Sequence, residues 1–396
     1  MNVFTSGRLA GLATLVVMAL AAGAAHAQSS LQVSVVLPLT GNGAFLGQGQ
    51  QRTLQVLQEQ VNKEGGIGGR PLEFVFRDDQ TSPQVAVQLT SAVAAQRPPV
   101  MLGSSIVAMC NAMAPLVRNG PVTYCLSPAV QPPAGSYMYS SSVSTHDLLA
   151  ADIRYFRARG WTRVALISST DATGQDFQNG ISAALKMPEN AGIEVVENAR
   201  FNQTDVSVSA QMERIRAANP QVLVAWTTGG PIATIFKGIV QAGLNIPVVT
   251  TNGNQIFEQM DQYAEFLPRE LYFATSLFLP HEGRPSYAPE VEQAQQRFYT
   301  AMNAAKVAID IRAGLSWDAG NLMVDALRKL GPSATAAQVK EYMEGLTDWA
   351  GISGVYNFRQ SPSRGLGPAN AIITRWDPAA RLWAVVSSAG GGPLPQ

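Results

Sequence analysis

Ser104 and Ser105 follow a short apolar run at 100–103, and Thr227 and Thr228 follow another at 222–226. Hydroxyls placed where a strand gives way to a loop can donate to and accept from a small bound molecule, and they serve equally well as plain turn residues. Phe45, Leu46, Tyr124, Trp226 and Phe278 could supply an apolar wall beside them. Phe45, Leu46, Tyr124 and Trp226 are also readable as core. The pair Asp78-Asp79 suits a loop brace better than a ligand group. This is a vocabulary for binding a solute.

Bond-making chemistry is poorly represented. Beyond residue 27 the chain has two histidines, His146 and His281, both in polar, loop-like sequence. No histidine pair has metal-ligand spacing, and no Gly-x-Ser-x-Gly nucleophile turn occurs. The segment 41–47 (GNGAFLG) follows the first strand like a dinucleotide loop, but its spacing is one residue too long and no suitable acidic residue ends the second strand. No enzymatic activity, no cofactor and no metal are expected. A secreted enzyme is the rival from another class, and turnover of a bound ligand would reveal it.

The bulk numbers set the frame. A chain of 396 residues allows two domains, and 46% hydrophobic residues supply their cores. The formal net charge of zero offers nothing to nucleic acid or to an anionic membrane surface. Residues 1–27 read as a secretory signal: Arg8, an apolar stretch at 9–22, and the small residues Ala25 and Ala27, with cleavage before Gln28. The apolar stretch is short for a membrane anchor. The mature protein is therefore expected in the periplasm. There Cys110 and Cys125 could form a disulfide or stay as two buried thiols. Cys110 starts a helix and Cys125 ends the adjacent strand, so a bond would staple the cleft edge of the first lobe.

The elements that must position these groups alternate. Strands are expected at 31–39, 72–76, 100–103 and 122–126, with helices at 50–62, 83–95 and 108–118 between them. The rhythm restarts with strands at 162–168, 192–197, 222–226 and 248–251 and helices at 175–186, 208–218 and 232–242. Helices at 290–304, 316–330 and 338–345 are assigned back to the first unit, and tail strands at 354–358, 371–376 and 382–386 to the second. The fold class is α/β: two doubly wound parallel-sheet lobes joined by three crossovers, with a ligand cleft between them. The expected boundaries are 1–27 for the signal, 28–143 and 277–350 for the first lobe, and 144–276 and 351–396 for the second lobe and tail.

The segments VSVVLPLTGNGAFLGQG, NKEGGIGGRPLEFVFRDDQTSP and VALIS resemble the periplasmic leucine/isoleucine/valine-binding proteins of ABC importers. The resemblance runs from about residue 31 to about 386. It implies a monomeric solute-binding protein that closes on a small molecule and hands it to membrane permease subunits. A ligand-sensing partner of a membrane receptor is the alternative use of such a fold.

Position by position, the resemblance puts Val107 where relatives that bind α-amino acids use a hydroxyl to hold the carboxylate, with Ser104 and Ser105 as possible substitutes. A second family hydroxyl falls near Gln131. Two positions that often hold tyrosine fall on Thr173 and Thr228. The family's acidic residue, which pairs with the ligand ammonium, falls near Asn252. Asp171 or Asp176 could replace the missing charge, although both suit a helix-capping role. A buried ammonium without a carboxylate is costly, so between an amino acid and an aromatic or aliphatic carboxylate that lacks an ammonium, the carboxylate is the preferred ligand.

Overall fold

A computed structural model describes residues 29–279 and 288–394. The expected signal segment with its cleavage point, and His281, lie outside the described residues. Apolar, fully buried runs such as Val222–Trp226 become strands covered on both faces, as a parallel sheet demands. The first sheet holds β1 (Leu31–Leu37), β2 (Leu72–Asp78), β3 (Val100–Leu102), β4 (Val122–Cys125) and β5 (Met138–Ser140). They run parallel in the order β2-β1-β3-β4-β5.

The second sheet begins with β6 (Arg163–Ser169), β7 (Glu194–Phe201), β8 (Val222–Trp226), β9 (Val248–Thr251) and β10 (Leu271–Ser276). The chain then leaves for three helices and a two-stranded ladder, β11 (Trp349–Gly351) with β12 (Gly354–Tyr356), and returns as β13 (Ala371–Asp377) and β14 (Leu382–Val385). The order is β14-β13-β10-β9-β8-β6-β7. Strands β6 to β10 pair in parallel and repeat the winding of the first sheet, while β13 and β14 add an antiparallel edge.

The helix Ala44–Lys63 buries Leu46, Gln50, Leu54, Leu57 and Val61 along one stripe. Against it lies the helix Ile311–Leu330, so closely that a Cβ on Gly320 would come within 2.6 Å of Leu57. The helices Pro289–Ala304 and Ala336–Gly345 also pack on this lobe.

Three local expectations are corrected. The segment 354–358, expected in the second sheet, instead pairs with β11, and Asp318 of the first lobe accepts from Ile352 N (2.9 Å), Ser353 N (3.2 Å) and Tyr356 Oη (3.0 Å). The region 274–279, read as a crossing, first completes strand β10. The helix Thr145–Ala158, absent from the sequence reading, starts where Ser144 accepts from Asp147 N.

The first two crossovers and the turn between β11 and β12 meet through one serine each. Ser142 Oγ donates to Ser276 Oγ at 3.1 Å, and Ser276 Oγ lies 3.4 Å from Ser353 Oγ.

Candidate functional site

The carboxyl ends of the strands in both lobes face each other, which is where open α/β sheets bind ligands. A cavity of about 20 Å³ lies between them, room for little more than one water. A larger solute requires the lobes to part and close again around it. From the first lobe, Leu46 reaches the cavity from the helix after β1, Ser105 to Val107 from the turn after β3, and Ser127 to Ala129 from the loop after β4. From the second lobe come Thr145 and Thr173 on the first turns of two helices, Trp226 at the end of β8 with Thr228 beyond it, and Thr251 at the end of β9 with Asn252 and Gly253 beyond it.

Of the residues expected at the site, Leu46, Ser105, Val107, Thr173, Trp226, Thr228 and Asn252 thus share this cavity. The others lie elsewhere. Ser104 donates to Asp79 Oδ2 at 2.6 Å, so the second aspartate braces the turn after β3. Asp78 braces the first loop, accepting from Leu39 N (2.9 Å), Thr40 N (3.1 Å) and Thr40 Oγ1 (2.7 Å). Phe45 meets Tyr263 of the other lobe edge-on. Tyr124 stacks on Tyr139 within the first lobe. Gln131 lines a separate cavity of about 300 Å³ with Arg118 and Tyr137, because the chain after Ala129 turns away from the cleft. Thr227 is fully buried and does not line the cavity, and its carbonyl accepts from Asn254 Nδ2 at 2.7 Å. Phe278 is buried against Gly314.

Ser127, Thr145 and Thr251 were not singled out in the sequence. The signal that could have found Thr145 is the capping pattern Ser144-x-x-Asp147, which opens a helix at the crossover.

The polar groups that the described residues bring to the cavity wall are neutral. Ser105 Oγ donates to the buried Gln50 side chain, whose own amide nitrogen finds no partner. Asn252 is 1% exposed; its Oδ1 receives a long 3.4 Å contact from Thr251 Oγ1, and its Nδ2 has no partner. An unpaired buried donor is costly unless something accepts from it.

Charged groups sit one layer back. Asp171 caps the helix Ala172–Leu185 by accepting from Gly174 N at 3.1 Å. Asp176, one turn after Thr173, meets His146 Nε2 at 3.0 Å, and its other oxygen is buried without a partner. That contact holds the His146 imidazole above its usual pKa, against the opposing effect of burial. At the rim, Glu258 of the second lobe reaches Arg312 and Arg52 of the first.

Cys110 and Cys125 form a disulfide with their Cα atoms 6.2 Å apart. The bond ties the helix after Val107 to the end of β4, so both first-lobe loops that line the cavity spring from one staple. Among the described residues no cluster of His, Cys, Asp and Glu could hold a metal ion. No helix there is long and apolar enough to cross a membrane.

A family model described as periplasmic binding protein matches residues 30–381. The curated "Leu/Ile/Val-binding protein homolog 6" of Brucella melitensis biotype 1 is 27% identical over 257 residues, which is 63% of this chain and 63% of the relative. The chain thus aligns with just under two thirds of that relative's length. Among solved structures, an extracellular ligand-binding receptor from Rhodopseudomonas palustris HaA2 superposes with a TM-score of 0.78 at 22% identity, over 90% of this chain and all of that one. Two others carry ligands. A Streptococcus pneumoniae branched-chain amino acid transporter substrate binding protein in complex with isoleucine matches at TM-score 0.73 and 15% identity, over 90% of this chain and 99% of that chain. An R. palustris ABC transporter solute binding protein in complex with benzoate matches at 0.73 and 19%, over 93% and 98%. Their equal scores show a shared fold and favour neither ligand.

Proposed function

Because the chain belongs to the periplasmic binding protein family, we propose that it is the exported solute-binding component of an ABC importer, closing its lobes on a small carboxylate that carries no ammonium. It works as a monomer, without turnover, and passes the solute to permease subunits in the membrane.

The observation that carries the ligand class is Asn252. The position that the resemblance assigns to an ammonium-pairing acid holds an amide, and the buried amide nitrogen is a donor without an acceptor. Among the described residues no Asp, Glu, Lys or Arg lines the cavity. A carboxylate oxygen satisfies donors at such a wall, whereas an ammonium brings more donors and needs acceptors. The first turns that carry Thr145 and Thr173 add helix N-terminal fields, which Asp147 and Asp171 in the same turns offset in part.

A second reading, an α-amino acid, is favoured by the unpartnered oxygen of Asp176. It is the weaker reading because His146 already engages that carboxylate and Asp176 does not line the cavity.

A thermal-shift screen of the mature protein tests the proposal, with branched-chain amino acids, their deaminated keto acids, and benzoate-type acids in the panel. Ligand at about 100 times its Kd should add about 2.7 kcal/mol of stability. Shifts with acids alone support the carboxylate reading, and shifts with leucine, isoleucine or valine alone overturn it. Loss of uptake on deletion of the gene supports transport; loss of a response with uptake intact points to sensing.

A further inference from the structure

Arg364 lies in the loop after β12, is 6% exposed, and donates to four carbonyl oxygens. They are Pro128 (3.2 Å), Val130 (2.6 Å), Ser141 (3.3 Å) and Ser142 (3.1 Å). No carboxylate accepts from it among the described residues. A guanidinium buried without a counter-ion is costly and demands strong compensation, which the four carbonyls provide. Burial lowers its pKa to about 10, so it stays charged at neutral pH.

The four acceptors belong to two segments with different duties. Ser141 and Ser142 form the first crossover, and Pro128 to Val130 continue the loop whose near side lines the cavity. Ser363 extends the same clamp: its carbonyl accepts from Ser140 N at 2.9 Å, and its hydroxyl donates to Pro133 O at 3.1 Å. The peptide joining Pro128 to Ala129 is trans, so the Ala129 N–H points opposite to the Pro128 carbonyl and away from Arg364. That N–H makes no hydrogen bond among the described residues, and Ala129 lines the cavity.

We propose that Arg364 is a positioning residue for ligand capture: its buried guanidinium, set against the carbonyls of Pro128 and Val130, turns the Ala129 N–H to the cavity and gives that wall a positive potential suited to an anionic ligand group. The preference for an anion rests on the function proposed above; the clamp on the two segments does not. Asp147 and Asp176 are close enough to offset part of the field, and His146 in turn engages Asp176.

The test compares R364M, which removes the charge, with R364K, which keeps it but loses the planar fork. Hydrogen exchange of the ligand-free protein should quicken by about tenfold in both variants at Ser140 and Thr145, whose N–H groups donate to Ser363 O and Pro128 O, while β6 to β8 stay protected. The imidazole of His146, which feels the guanidinium, should titrate higher in R364M and near its wild-type position in R364K. Binding of benzoate should weaken in R364M by about tenfold more than binding of benzamide, its uncharged analogue. Unchanged exchange at Ser140 and Thr145, or an unmoved His146 titration in R364M, overturns the proposal. Should R364M fail to fold, R364Q carries the same comparisons. A wild-type protein that binds isoleucine and neither aromatic probe removes the anion preference alone, and the exchange and His146 measurements still decide the clamp.

Discussion

A Cβ on Gly229 in the second lobe would stand 2.3 Å from the carbonyl oxygen of Asn42 in the first. The backbones of the two lobes therefore approach as closely here as glycine allows, and Gly230 N reaches the same carbonyl at 3.4 Å. Gly229 also has φ +85°, a conformation that costs other residues about 1 kcal/mol. Full closure depends on the missing side chain.

G229A should then weaken ligand binding by about tenfold or more, since each 1.4 kcal/mol of lost closure is a factor of ten. Gly243 supplies the control: its φ is +65° and nothing lies within 4 Å of its would-be Cβ. G243A should lose similar stability in a thermal melt and keep its affinity by calorimetry. Equal affinities for both variants would mean that Asn42 and Gly229 do not meet in the bound state.

Removing the disulfide should loosen the site from the first lobe. Cys110 and Cys125 are 15 residues apart, and a loop of that size contributes about 3 kcal/mol of stability. C110A/C125A should unfold at correspondingly lower denaturant and bind ligand more weakly, because the turn at Ser105–Val107 and the loop at Ser127–Ala129 flank the bond. A stability loss with affinity intact would confine the bond to the core.

Asp318 should make the β11–β12 turn sensitive to pH. Burial raises its carboxyl to about 6, and the donors from Ile352, Ser353 and Tyr356 recover part of that cost. A carboxyl raised in the folded state loses its proton earlier on unfolding, so its contribution falls as pH rises from about 4 to about 6 and then levels. The swing is on the order of 3 kcal/mol. Urea melts of wild type and D318N across that window should differ by this falling term, and parallel curves would contradict it.

The parallel rhythm of strands and helices was legible because apolar runs and turn residues alternate locally. The strands Leu31–Leu37, Val222–Trp226 and Val248–Thr251 and the helix Pro83–Ala95 needed only that signal. Residues 354–358 were misplaced because their partner is not set by alternation but by the buried carboxylate of Asp318, distant in sequence. At the site, residues close after strand ends, such as Ser105 and Thr228, could be placed by counting. Gln131 could not, since the loop after β4 changes direction within four residues of Ser127. Arg364 was missed for a different reason. In the polar stretch SPSRGLG it reads as a solvated arginine, and only the folded chain brings four carbonyls around it.

The central claim is that the cavity wall at Asn252 receives an anion without an ammonium, and leucine against its deaminated keto acid tests it with one carbon skeleton. Calorimetry on the wild-type protein should show the keto acid binding at least about tenfold more tightly, a difference of about 1.4 kcal/mol. In N252D the order should invert, because a carboxylate there repels the anion and pairs with the ammonium. Tighter binding of leucine to the wild-type protein would contradict the account.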